Sequence, residues 1–190
     1  MRSSPLTRRL ALQATLGLLA RPGLAEARLP PFRTARYQFV ELDPVEPMAP
    51  LALLGLDGRP AVARPAPARV SLVYVWATWC PVCRIALPRF ERQLAGFRTR
   101  GVEILTVSTD DREPAHVRDY LRRLSVGRLP VFHDRAGKVL AASRQPLSTA
   151  EGLPVTYLAD RRGGVRGYML GEADWTSTEG LALLDHVGRL

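Results

Sequence analysis

The chain has 190 residues, 46% of them hydrophobic, which is enough for one domain with a buried core and some additional segments. Its two cysteines lie in one short motif, which excludes a disulfide-stapled scaffold and leaves folding to packing. The net charge of +9 comes almost entirely from arginines scattered among Asp and Glu without an aromatic platform, so it describes a solvated surface and not a nucleic-acid site.

Residues 1–27 read as an export signal. Arg2, Arg8 and Arg9 make a positive start, Leu10 to Ala20 form an apolar run too short to span a bilayer, and Ala25-Glu26-Ala27 gives a small-x-small pattern before Arg28. Thr7-Arg8-Arg9-Leu10 resembles a twin-arginine signal; left uncut, the segment would tether the chain to a membrane. Residues 28–49 hold prolines at 30, 31, 44 and 47 around an alternating stretch from Arg36 to Leu42. They read as a linker with one edge strand. Leu51 to Leu56 followed by Asp57-Gly58 predicts a strand and turn that open a hairpin, and the Pro- and Ala-rich stretch from Ala61 to Ala68 predicts a loop.

The next stretch, Ser71 to Arg84, carries the chemistry. Leu72 to Trp76 are β-branched, aromatic and aliphatic without polar alternation, the pattern of a strand buried on both faces. The run stops at Ala77-Thr78, and Pro81 suits the first turn of a helix, where its missing N–H costs nothing. Cys80 and Cys83 therefore flank a helix N-terminus. A thiolate there feels the positive end of the helix dipole, which makes Cys80 the expected nucleophile and Cys83 the expected resolving thiol. Two other readings of the pair are weaker. Half a zinc site finds no further cysteine and no ligand spacing among His116, His133 and His186, and a purely structural bridge would close a loop too short to matter.

The helix is expected to reach about Phe97 with Pro88 inside it, and Val102 to Val107 then form a strand parallel to the first. Asp110-Asp111-Arg112-Glu113 is expected to cap a helix to about Leu124, with Val117, Tyr120, Leu121 and Leu124 as its buried stripe. Val131-Phe132 reads as a short strand, and Gly137-Lys138 as a turn toward Val139 to Ala142. Pro154 to Leu158 is expected to form a strand that turns at Gly163-Gly164 and pairs antiparallel with Val165 to Met169. Ser177 or Thr178 should cap a last helix through Val187, with Leu181, Leu184 and Val187 on one face.

The stretch W-A-T-W-C-P-V-C-R, ending at Arg84, resembles the thioredoxin superfamily and within it the periplasmic TlpA/ResA/DsbE branch. Gly152 to Asp160, G-L-P-V-T-Y-L-A-D, is similar to the branch's cis-proline segment. Leu129 to Asp134 with Gly137-Lys138-Val139 resembles its inserted strand, and Gly171 to Trp175 its G-x-x-x-W segment. The resemblance runs from about Pro50 to the C-terminus. It implies an α/β thioredoxin fold over 50–190, with a central mixed sheet flanked by helices, an N-terminal hairpin extension and a βα insertion assigned to residues 111–147. It also implies a cis bond before Pro154 facing the cysteines, and a docking surface of Trp76, Trp79, Pro81, Val82, Leu153 and Pro154, with Trp76 equally open to a core role.

The activity implied by the resemblance is that of an exported, monomeric thiol:disulfide oxidoreductase in the periplasm, specifically reducing protein disulfides in cytochrome c or copper-centre maturation. It would draw electrons from a membrane donor and use no cofactor or metal beyond the Cys80-Cys83 disulfide. A client-specific dithiol oxidase or isomerase, or a copper-binding chaperone using the same sulfurs, are the alternatives. The peroxidatic P-x-x-x-T-x-x-C arrangement is missing. Two departures concern protons: Ala86 stands where the branch commonly has a glutamate, and Tyr74 where thioredoxin buries an aspartate. No acid is then expected beneath Cys83, and proton transfer falls to water or to an exposed Cys80.

Overall fold

The structure, a computed structural model, describes residues 28–142 and 152–190. The expected export signal, residues 1–27, and the end of the expected insertion, 143–147, lie outside the described residues. Among the described residues, eight strands form one mixed sheet in the order β1-β8-β7-β4-β5-β6-β2-β3. At its centre lies β4 (Val70–Trp76), every residue of which is buried, as a run without polar alternation requires. The helix α1 (Pro81–Thr99) carries the chain across to β5 (Val102–Ser108), which pairs parallel to β4. On the other side β4 pairs antiparallel with β7 (Val155–Ala159), and β7 with β8 (Gly164–Leu170).

The period of two along β4 divides the core. Leu72, Tyr74 and Trp76 face α1 and α4 (Thr178–Val187), packing with Cys83, Leu87, Phe90, Leu183 and Leu184. Val73 and Val75 face the opposite side with Leu105, Val107, Val155 and Tyr157. At the head of α4 the Ser177 hydroxyl accepts the Gly180 N–H at 3.1 Å, satisfying one of the free donors of the first turn. Pro88 lies within α1 without ending it.

The N-terminal strand forms later than its alternation indicates. It is β1 (Val40–Pro47), antiparallel to β8 at the sheet edge, because Thr34 folds residues 34–37 into a turn. The Thr34 hydroxyl accepts the N–H groups of Arg36 and Tyr37 at 3.3 and 3.0 Å. Phe32, just before that turn, is buried against Trp175 with ring centroids 4.9 Å apart, and the Phe39 ring meets Trp175 edge-on at 6.5 Å. Gly167 lets β1 come close: a Cβ there would lie 2.2 Å from the Val40 carbonyl oxygen.

At the other edge, β2 (Leu51–Gly55) and β3 (Pro60–Ala63) form the expected hairpin, turning through Gly58 at φ 79°. The loop expected from Ala61 onward is thus a strand in its first residues. As the last strand of the sheet, β3 tolerates Pro60, whose missing donor would break an interior ladder.

Between β5 and β7 lie α2 (Pro114–Arg123), β6 (Val131–His133) and α3 (Lys138–Ala141). The strand β6 pairs parallel with β5 and antiparallel with β2. Residues 139–142 do not prolong an inserted strand. Gly137 takes φ 66°, and the buried Asp134 carboxylate accepts the Val139 N–H at 2.8 Å, so the chain starts a helical turn. The expected acidic cap of α2 is also absent. Glu113 precedes Pro114 without capping through its side chain, and Asp110 is engaged elsewhere.

Glu91 fastens α1 to the segment before β6. Its carboxylate accepts the N–H groups of Arg128 and Leu129 and the Arg128 Nε at 2.8 Å, while Arg128 Nη2 donates to the Glu91 carbonyl. Burial raises this carboxyl, but the Arg128 side chain and the two backbone donors outweigh it and hold it below its ordinary value. A carboxyl lowered by folding stabilises fully above its unfolded value, about 4.3, and the contribution is lost as the pH falls through the lower folded value. Glu91→Ala is expected to cost about 2–3 kcal/mol at pH 7. Urea titrations should show the deficit shrinking as the pH drops below about 4.3.

Candidate active site

Four residues, Ala77, Thr78, Trp79 and Cys80, connect β4 to α1. The Cys80 N–H donates to the Ala77 carbonyl at 3.2 Å, closing the turn, and Pro81 begins the helix. Cys80 is the N-cap with extended backbone angles, and its sulfur accepts the Cys83 N–H at 3.2 Å, as an oxygen does in an ordinary cap. The two cysteines are joined by a disulfide, with Cα atoms 5.3 Å apart. Cys83 is fully buried and Cys80 is 3% exposed. The expectation of an open Cys80 is corrected: in this oxidised form it is buried, with the Leu153 carbonyl beside its sulfur.

Leu153 and Pro154 come from a distant part of the chain. Val155 pairs with Val75 near the end of β4, which places the residues just before β7 beside the start of α1. The Leu153-Pro154 bond is cis, and the Leu153 carbonyl oxygen lies 3.6 Å from the Cys80 sulfur. Gly171 N–H donates to the Pro154 carbonyl at 2.8 Å, tying this ledge to the end of β8. Trp79 is 55% and Val82 38% exposed, and Pro81 is exposed, so these three line the outer rim.

Trp76 does not wall a groove. It faces the α1 side of β4 with Leu72 and Tyr74, fully buried, and stacks on Tyr120 with centroids 6.1 Å apart. Ile85, unremarked in the sequence, is 58% exposed one turn along α1 from Val82. The spacing held the signal: the buried stripe of α1 is Cys83, Ala86, Leu87 and Phe90, and Val82 and Ile85 fall outside it.

Beneath the sulfurs, Ala86 and Tyr74 are buried in the same cluster as Cys83. The Tyr74 ring meets Phe90 at 5.0 Å, and among the described residues its hydroxyl has no hydrogen-bond partner. Burial first, then the charges of Glu172 and Tyr120, push this phenol far above its ordinary range, so it stays protonated and is no base. Glu172, held by Arg89 of α1 at 2.7 Å, is the carboxylate whose charge acts on Tyr74. It follows β8, on the G-x-x-x-W segment, far in sequence from the cysteines.

Among the described residues, no group of three or more His, Cys, Asp or Glu side chains is placed to hold a metal ion. His133 is buried, with Nε2 3.0 Å from the Asp110 carbonyl oxygen. No helix of the described residues is long and apolar enough to cross a membrane.

Residues 50–168, from the hairpin through most of β8, match the AhpC/TSA family. The chain belongs to the AhpC/TSA family. Among relatives of this AhpC/TSA protein, the thiol-disulfide oxidoreductase ResA of Bacillus cereus is 27% identical over 105 residues, 55% of this chain and 57% of its own. The thiol:disulfide interchange protein DsbE of Pseudomonas aeruginosa is 30% identical over 129 residues, 68% of this chain and 61% of its own. The matches thus span about half to three fifths of these relatives' lengths. A crystal structure described as a thiol:disulfide interchange protein DsbE from Chlorobium tepidum superposes with TM-score 0.62 at 22% identity, covering 77% of this chain and 99% of that one. A thioredoxin family protein from the same organism gives 0.58 at 19%, covering 76% and 94%. The fold of this AhpC/TSA member is the thioredoxin fold, with the central mixed sheet flanked by helices that the resemblance implied.

Proposed function

We propose that the protein is a thiol:disulfide oxidoreductase of the ResA/DsbE type that reduces a specific protein disulfide outside the cytoplasm. The observation that carries this reading is the Cys80-Cys83 disulfide at the head of α1, with Leu153 against its outer sulfur. In the reduced protein the Cys80 thiolate attacks one sulfur of the client disulfide, and the other client sulfur leaves as a thiolate. The Cys83 thiolate then attacks Cys80, the second client sulfur leaves, and two electrons have passed to the client. The first turn of α1 lowers the cost of the Cys80 thiolate, since its N–H groups and dipole favour negative charge and no acidic residue stands there. Trp79, Val82 and Ile85 give the client apolar contact around the disulfide, while Leu153 and Pro154 border it on the opposite side.

A dithiol donor must refill the pair, and in an oxidising compartment a membrane protein is the class that supplies it. The apolar, arginine-led start of the sequence supports export, and the ResA and DsbE relatives support a periplasmic setting and a role in cytochrome c or copper-centre maturation. We assign the protein a monomeric state, with no cofactor besides its own disulfide. The direction of electron flow is tested by equilibrating the protein with dithiothreitol or glutathione buffers. A reduction potential near about −270 mV, as in thioredoxin, is the expected result. A value near about −120 mV, as in strong dithiol oxidants, would turn the assignment to client oxidation.

A further inference from the structure

Thr78 sits two residues before Cys80, and its hydrogen bonds go to Asp110, two residues past the end of the neighbouring strand β5. Its N–H donates to both carboxylate oxygens of Asp110, at 3.2 and 3.0 Å, and its hydroxyl donates to Asp110 Oδ1. The Ser108 hydroxyl donates to Asp110 Oδ2 at 2.5 Å. Asp110 itself is fully buried, and no cation among the described residues pairs with it. A buried carboxylate without a counter-charge is costly unless donors converge on it, and here the donors belong to the active-site turn and the end of β5.

The bracing continues outward. The Thr109 N–H donates to the Trp76 carbonyl at 2.8 Å, and the Asp134 N–H to the Ser108 carbonyl at 2.7 Å. His133 of β6, with Nε2 donating to the Asp110 carbonyl at 3.0 Å, fixes the backbone of Asp110 from behind. The unit between α2 and α3 therefore reaches the cysteines through His133, Asp110 and Thr78. With Thr78 pinned, the short turn between β4 and α1 has little freedom, and Cys80 is kept where its sulfur receives the Cys83 N–H.

We infer that Asp110 is a positioning residue for Cys80: its hydrogen bonds to Thr78 clamp the turn before α1 and keep the sulfur aligned with the helix N-terminus. This deepens the oxidoreductase reading and rests on it. Without the clamp the turn loosens, the thiolate loses part of its stabilisation by the first helical turn, and Cys80 becomes a poorer nucleophile. The test uses full-length reduced protein carrying Cys83→Ser, so that Cys80 is the only thiol, and follows its alkylation by iodoacetamide as a function of pH. Adding Asp110→Ala should shift the midpoint of the profile upward and slow alkylation at pH 7 about tenfold. Asp110→Asn should restore most of the rate, because its oxygen accepts from Thr78 and its amide donates to Ser108.

A folded Asp110→Ala protein with the parent profile overturns the inference, and so does an Asp110→Asn protein as impaired as the alanine variant. If Asp110→Ala does not fold, Thr78→Val removes one arm of the clamp and leaves the carboxylate in place; it should shift the profile in the same direction by a smaller amount, and an unchanged profile overturns the inference. A parent Cys80 that titrates like a free cysteine would instead count against the oxidoreductase reading, which keeps the two failures apart.

Discussion

Cys83→Ser is expected to accumulate a mixed disulfide between Cys80 and a client, whereas Cys80→Ser is expected to form none and to lose at least about a thousandfold in exchange rate. The asymmetry comes from where the sulfurs sit. Cys80 is the N-cap of α1, beside the Leu153 carbonyl at the rim, and Cys83 lies one turn inside, with no exposed surface, among Tyr74, Ala86 and Leu87. Both sulfurs are covered in the oxidised form, but Cys80 lies at the helix end, next to the exposed Trp79, Pro81 and Val82, so opening this rim uncovers the first sulfur before the second. With Cys83 replaced, the mixed disulfide has no internal thiol to resolve it and persists. Non-reducing gels of the two variants expressed in the native host, followed by mass spectrometry of the adducts, read the result directly. Comparable adducts on Cys83 in the Cys80→Ser variant would reverse the assignment of roles.

Trp175→Ala is expected to lower stability by about 3–5 kcal/mol and the melting temperature by about 10 °C. Trp175 is 2% exposed and holds Phe32 and Phe39 at 4.9 and 6.5 Å, so its loss empties the space between the start of α4 and the segment leading into β1. The damage should spread in one direction. Trypsin should cut faster after Arg33 and Arg36, while the reduction potential of the cysteine pair stays as in the parent. A fall in melting temperature without faster cleavage at those arginines would show that Trp175 does not anchor the N-terminal segment.

How much of this was legible beforehand depended on how local the cause was. The unbroken apolar run of β4, the proline opening α1 and the glycines of the β7-β8 turn act within a few residues, and each element lies close to where its residues place it. β3 was hidden because proline and alanine imitate a loop, and only its pairing with β2 makes it a strand. The offset of β1 came from one threonine turn. Asp110 misled for a different reason: an aspartate shortly before a helix suits a cap, and only the parallel pairing of β4 and β5 brings it under Thr78. The meeting of Leu153-Pro154 with Cys80 was implied by resemblance alone, since no local pattern joins two such distant segments.

The depth of Cys83 also governs traffic. In the proposed reaction, because that sulfur has no surface of its own, both the molecule that is reduced and the one that refills the pair would react at Cys80. Donor and client therefore take turns, each leaving before the other arrives, and steady-state plots of rate against either one should give parallel lines.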